Sequence, residues 1–323
     1  MRDFHPLNMH FPNLIEFLTH WFDFNLLRNL IWHTPYLTSI TILCAAEIDD
    51  EAVDLLCQSY GNTLQSLTLS DDSAGYNPLT DQSLQSIATY CTSLTELNLL
   101  NWPHITYTGL SYLANLHLLK RFTLYSFREG FITALDVGPV LYNNNNIEQL
   151  QLDRVEMNES DLLICIGNNC PLLKHLDISN ALWHYITDES VRIMTLGCPL
   201  LESLQISVRY SLYDDAEEAD YNPHPFLSFT NTALYTIATN CIYFKYLHID
   251  SPDALPYNEV GLDVLIDKCI HLRAIYNHNG IEQTSYLYYT APGYNEREVE
   301  LYIPTYKGGT KYHTQKGPYK INY

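Results

Sequence analysis

Cys91-Thr-Ser-Leu94-Thr-Glu-Leu97-Asn-Leu99 is the stretch on which the fold turns. Leu97 and Leu99 are two apart, the period of a strand with one face buried, and Leu94 and Cys91 precede them at spacings of three. The frame is Cys-x-x-Leu-x-x-Leu-x-Leu. It returns at Cys170-Pro-Leu-Leu173-Lys-His-Leu176-Asp-Ile178 and at Cys198-Pro-Leu-Leu201-Glu-Ser-Leu204-Gln-Ile206. It returns again at Cys241-Ile-Tyr-Phe244-Lys-Tyr-Leu247-His-Ile249 and at Cys269-Ile-His-Leu272-Arg-Ala-Ile275. Weaker copies put Gly61, Leu116 and Asn144 in place of the cysteine, and the weakest put Thr34 and Phe11 there. Successive starts are 23 to 30 residues apart, with a single interval of 43 between Cys198 and Cys241.

Each unit has a second half. In Thr80-Asp81-Gln-Ser-Leu84-Gln-Ser-Ile87-Ala88-Thr-Tyr-Cys91, either Thr80 or Asp81 suits the cap of a helix start. Leu84, Ile87, Ala88 and Cys91 follow on one helical face. Thr187-Asp188, Asp49-Asp50, Asn158-Glu159 and Thr230-Asn231 open similar segments. The unit is therefore a strand, a turn and a helix, and one unit alone cannot bury both apolar sides. Stability has to come from stacking neighbours.

The Thr-Asp, Leu, Ile, Cys and L-x-x-L-x-L positions together resemble the cysteine-containing leucine-rich repeat over roughly residues 34–280. The resemblance implies an α/β solenoid of the ribonuclease-inhibitor-like horseshoe kind, with a parallel sheet on the concave face and helices on the convex face. This repeat is typical of F-box/leucine-rich-repeat proteins, the substrate receptors of SCF-type ubiquitin ligases, and of antagonist-of-mitotic-exit-like proteins. By resemblance, the expected function is a protein–protein interaction scaffold recognising substrates for ubiquitin-dependent degradation, with SCF components as partners. The alternative is a free-standing regulatory binder with no ligase link. Residues 1–33 contain Leu14, Phe17, Leu18 and Trp21, which fit an N-terminal cap or a degenerate first repeat. They lack the Leu-Pro start and the later Cys-Trp of an F-box. An F-box would have to come from a longer product, and ligase linkage is carried onto no residue here.

If the repeated leucines point inward, the residues between them face the open side. That face is the usual binding surface of a solenoid. The candidate protein-binding residues are Arg121, Tyr125, Gln151, Asp153, His175, Asp177, Tyr246, His248 and Asp250.

The 323 residues carry a formal charge of -20. Lys307, Lys311, Lys316 and Lys320 sit in a C-terminal stretch without acids, so residues 1–303 hold 13 of the 17 basic residues against all 37 acidic ones. Such a surface repels nucleic acid and anionic lipid and favours a basic protein partner. The expectation is a cytoplasmic or nuclear protein with reduced thiols, since the N-terminus has no signal-peptide layout and no apolar run spans a bilayer. The long interval holds an acidic insertion at about 207–230, with Asp214, Asp215, Glu217, Glu218 and Asp220. Residues 281–323 drop the repeat; Ser285–Tyr289 and Glu298–Ile303 alternate like strands and could cap the last repeat, ahead of a basic tail.

No glycine-rich phosphate loop, C-x-x-C pair or H-E-x-x-H helix occurs. Neither catalytic residues nor a metal or cofactor is expected. Five cysteines share one repeat position, which implies packing by a small apolar residue.

Overall fold

The computed structural model describes residues 13–19, 23–43, 48–70, 79–102, 104–125, 132–153, 155–156, 161–181, 186–208, 229–251, 257–279 and 300–302. Most of the acidic insertion and of residues 281–323 lies outside them. The chain forms two compact units, Met1–Glu156 and Met157–Tyr323.

In the first unit the strands are β1 (Glu16–Thr19), β2 (Ser39–Ile42), β3 (Ser66–Ser70), β4 (Glu96–Leu100), β5 (Arg121–Tyr125), β6 (Ile132–Thr133), β7 (Gln149–Asp153) and β8 (Val155–Glu156). The helices between them are α1 (Phe24–His33), α2 (Asp50–Tyr60), α3 (Asp81–Tyr90), α4 (Tyr107–Tyr112, followed by a 3₁₀ turn) and α5 (Ala134–Tyr142). β1, β2, β3, β4, β5 and β7 pair in that order, all parallel. β6 and β8 form a separate two-residue pairing.

The second unit repeats the plan with α6 (Asp161–Asn169), β9 (His175–Ala181), α7 (Asp188–Gly197), β10 (Ser203–Val208), α8 (Asn231–Asn240), β11 (Tyr246–Ser251), α9 (Glu259–Lys268), β12 (Ala274–Asn279) and β13 (Glu300–Tyr302). β9 to β13 are parallel neighbours in sequence order. Within the Glu298–Ile303 stretch, Glu300–Tyr302 covers the outer edge of β12. Ser285–Tyr289 lies outside the described residues.

The repeat frame explains this regularity. From β1 to β12, every strand of the two main stacks begins five residues after a frame start: Glu96 after Cys91, Ser39 after Thr34, Glu16 after position 11. The inward residues stack in register, as in Ile40, Leu67, Leu97, Phe122 and Leu150, and all five are buried. Each such side chain contributes about 1.5–3 kcal/mol when removed from water. That contribution is complete only when the next repeat closes over it.

The helix starts are tied together by a device that local spacing did not reveal. Thr80 caps its own helix, bonding the Gln82 amide. Asp50, at the first position of the preceding helix, accepts from the Thr80 amide (3.0 Å) and hydroxyl (2.6 Å) and from Ser83. Asp81 does the same for Thr106, and Asp188 for Thr230 and the Ala233 amide. Asn231 exchanges two neutral bonds with Asn258. The two adjacent cap-like residues thus divide the work: Thr caps its own helix, and Asp clamps the next. In the second unit α6 and α7 also meet backbone to backbone. A Cβ on Gly197 would overlap the Gly167 carbonyl, so this contact demands glycine.

Candidate protein-binding face

Alternation along each strand leaves its first and third residues on the open face of the sheet. In the first unit this places Arg121 beside Glu96 and Gln149, and Gln151 beside Thr123. Arg121 ion-pairs with Glu96 and keeps half of its side chain exposed. Asn98 donates to Glu96 (3.0 Å) and to Thr68 (2.9 Å), so a polar chain runs across β3, β4 and β5. Burial alone would raise the Glu96 carboxyl. Hydrogen bonds from Arg121, Asn98 and Ser66, with the guanidinium charge, outweigh it and hold the group below the usual carboxylate range. Gln151 is exposed and Tyr125 half-buried.

Asp153 corrects the expectation made for it. It ends β7 as the alternation requires, but its side chain is only 1 % exposed and is not displayed to a partner. Alternation holds only while the backbone stays in the sheet. Here the chain turns off at once, and Val155 already pairs with Ile132 in the small second sheet. Ser70, at the same strand position, is buried too. There the chain beyond β4 folds back through Asn101, whose positive φ of 58° marks the turn and whose amide group reaches Ser70.

In the second unit His175, Ser203 and Tyr246 form one row of the open face, and Asp177, Gln205 and His248 form the next. Tyr246 is exposed; His175, Asp177 and His248 are half-buried. Asp250 pairs with Ser207 on β10 and His278 on β12, and its side chain lies outside the described residues. Partial burial pushes the His175 imidazole down; Glu202 opposes this, and Lys245 and Lys174 add to it. Glu202 is held below its ordinary value by the Lys245 ammonium, 2.6 Å away. The predicted residues therefore fall into two groups, one on each unit: arginine, amide and tyrosine on the first, imidazole, carboxylate and tyrosine on the second.

Among the described residues no group of three His, Cys, Asp or Glu side chains could hold a metal ion, and no helix is long and apolar enough to cross a membrane. The shared cysteine position is buried at Cys91, Cys170, Cys198, Cys241 and Cys269, and none of these is in a disulfide.

No family model and no curated protein matches the chain. Among solved structures it is similar to a chain of the Rad7–Elc1 complex from yeast, with 14% identity and a TM-score of 0.51, over 82% of this chain and 69% of that one. It is also similar to the leucine-rich-repeat-containing protein LegL7 from Legionella pneumophila (13% identity, TM-score 0.41, 84% and 76% covered). An internalin from Listeria monocytogenes gives 16% identity and a TM-score of 0.43, with 80% and 72% covered. At such identities the likeness is one of fold. The strand–turn–helix unit and its buried leucine frame make the fold an α/β leucine-rich-repeat solenoid of parallel strands backed by helices.

Proposed function

We propose that the chain is a protein-binding scaffold that works through the open face of its parallel strands, without catalysis and without a cofactor. One observation carries this reading. The inward residues of each strand supply the core, and the outward rows hold arginine, amide, imidazole and tyrosine side chains that are not part of it. Arginine and tyrosine are the side chains most enriched at binding hot spots. The net charge of -20 favours a basic protein partner over nucleic acid or an anionic membrane. A cytoplasmic or nuclear setting goes with the free, buried thiols.

Within that reading, the cysteine-containing repeat supports substrate recognition in SCF-type ubiquitin-dependent degradation, with a free-standing regulatory binder as the alternative. Tagged protein purified from its own cells, with any upstream coding sequence restored, distinguishes them. Co-purification of the cullin-complex linker subunit is expected; its absence, with a stable partner still bound, leaves the free-standing binder. The scaffold itself is tested with the partner so identified. Arg121→Ala and Tyr246→Ala should each weaken binding about tenfold or more, with little change in thermal unfolding because both residues are exposed. Unchanged affinity in both removes the open face from the account.

A further inference from the structure

The turn that leads from each helix into the next strand has the same geometry in both units, but its apolar side chains are isolated in the first and consecutive in the second. A backbone bond closes it at Leu94–Cys91 (3.1 Å) in the first unit and at Leu201–Cys198 and Phe244–Cys241 (both 3.1 Å) in the second. In the first unit two consecutive turns carry Asn62-Thr63 and Thr92-Ser93 at their outer positions. The turn therefore folds with polar residues there, and nothing in its backbone calls for apolar ones. In the first unit these two polar turns separate the exposed apolar residues at the same position, Tyr36 and Leu118. The second unit instead carries apolar side chains on every turn: Leu172, half-buried Leu200, Ile242 with Tyr243, and Ile270. Leu172, Ile242, Tyr243 and Ile270 are 41, 58, 43 and 57 % exposed. Tyr243 stacks on His271 of the next turn, with ring centroids 6.1 Å apart. Single exposed apolar residues are ordinary, but side chains aligned on successive repeats at a spacing of about 4.8 Å make a continuous patch.

A charged row borders this patch. Lys174, Glu202, Lys245 and Arg273 each directly precede a strand, and successive backbone bonds of 2.7, 2.7 and 2.8 Å stack them in line. Lys245 is neutralised by Glu202, and the row as a whole is net positive in a chain of net charge -20. The equivalent row of the first unit runs Thr38, Gln65, Thr95, Lys120 and Glu148, where Lys120 and Glu148 pair with each other.

We propose that the helix-to-strand turn edge of the second unit is a second interaction surface, separate from the open strand face, and that its occupant is an acidic segment of a partner protein carrying apolar side chains. Carboxylates of the segment would lie along Arg273 and the Lys174 end of the row, and its apolar residues would cover Ile242, Tyr243 and Ile270. A second copy of this acidic chain is disfavoured by charge repulsion outside the row.

The test selects short random peptides from a displayed library on the full chain. It then measures the winners by fluorescence anisotropy against wild type, Arg273→Glu, and the triple variant Ile242→Thr/Tyr243→Ser/Ile270→Thr. The triple variant copies the polar turns of the first unit, so its thermal unfolding should match wild type. Expected are peptides rich in both acidic and apolar residues, with binding about tenfold weaker in either variant and falling with added salt. The proposal is overturned by no enrichment, by winners that bind both variants as well as wild type, or by winners without acidic residues. It is likewise overturned if sedimentation shows a dimer that the triple variant abolishes, or if vesicles of phosphatidylserine bind the edge while the peptides do not.

Discussion

The two units solve the repeat-start position differently. In the second unit it is cysteine four times: Cys170, Cys198, Cys241 and Cys269. The Cys198 thiol points at the Cys170 carbonyl (3.3 Å) and the Cys241 thiol at the Cys198 carbonyl (3.8 Å), so sulfur reaches from each repeat to the one before. In the first unit the same position holds Thr34, Gly61, Cys91, Leu116 and Asn144, and all five are buried. Thr34 donates to the Leu30 carbonyl (2.6 Å) and meets the Tyr60 hydroxyl (3.0 Å), while Asn144 donates to the Val140 carbonyl (2.7 Å). The backbone amide at this position bonds back into the last helical turn, four residues back at Thr34, Gly61, Cys91 and the four second-unit cysteines and three back at Leu116 and Asn144. The fold therefore asks this position for a shape that fits between two repeats. A donor aimed at a neighbouring carbonyl is one way to fill it, and sulfur is not required.

The largest expected effect is at high pH. Burial pushes Cys198, Cys241 and Cys269 up to about 12 from an ordinary 9.0, and it pushes Cys170 up as well. A raised thiol favours the protonated, folded state. Its contribution is complete below pH 9 and is lost as pH rises from there toward 12. In the first unit Cys57 is raised, by its hydrogen bond with Cys91 and then by burial, against four raised thiols in the second. Amide hydrogen exchange followed from neutral to alkaline pH should show α7, α8 and β10 losing protection before α2, α3 and β3. A Cys198→Ala/Cys241→Ala variant should narrow that gap. Equal alkaline loss in both units would remove the thiol ladder as the distinguishing feature.

Next comes a substitution that makes the first unit look more like the second. Gly61→Cys restores the repeat's own cysteine, yet a Cβ there would lie 2.5 Å from the carbonyl oxygens of both Cys57 and Tyr90. Both obstacles are backbone and cannot swing aside. The expected loss is roughly 1–3 kcal/mol in urea unfolding, as for other overpacked cores. Wild-type stability would mean that the position accepts cysteine anywhere and that the difference between the units carries no structural content.

The same contrast shows what could be read from the residues alone. Strand positions were legible even where the cysteine was gone, because Leu64, Leu67 and Leu69 keep the frame around Gly61 and are fully buried. The placement of strand residues followed from alternation, but exposure did not follow at the strand ends Ser70 and Asp153, which are buried. The clamps were not legible: Asp50 and Thr80 are 30 residues apart and Asp188 and Thr230 are 42 apart, and local spacing carries no record of which neighbour a carboxylate will reach. The apolar turn edge was present in the letters at Ile242-Tyr243, but its exposure emerged only once the turns were stacked.

Thr34→Val is expected to cost less than Gly61→Cys, about 1–2 kcal/mol. Valine fills the threonine's space but leaves the Tyr60 hydroxyl without the bond that Thr34 provides in a buried site. Adding Tyr60→Phe should recover much of the loss, because both polar partners are then gone together. A double variant no more stable than the single one would place the cost in packing and not in the hydrogen bond.

Asn144→Leu should have the smallest effect and is the sharpest test of whether a donor matters. Asn144 is fully buried; its Nδ2 reaches the Val140 carbonyl, but its Oδ1 has no hydrogen-bond partner. Leucine branches at the same carbon and already occupies this position at Leu116, also fully buried. The substitution forfeits one bond, worth about 1 kcal/mol net, and removes an unmet buried oxygen whose desolvation costs about 1–3 kcal/mol. The two nearly cancel, so urea unfolding should shift by less than about 1 kcal/mol, with stabilisation the favoured sign. A loss above about 2 kcal/mol would instead show that the first unit, like the second, depends at this position on a donor aimed at a neighbouring carbonyl.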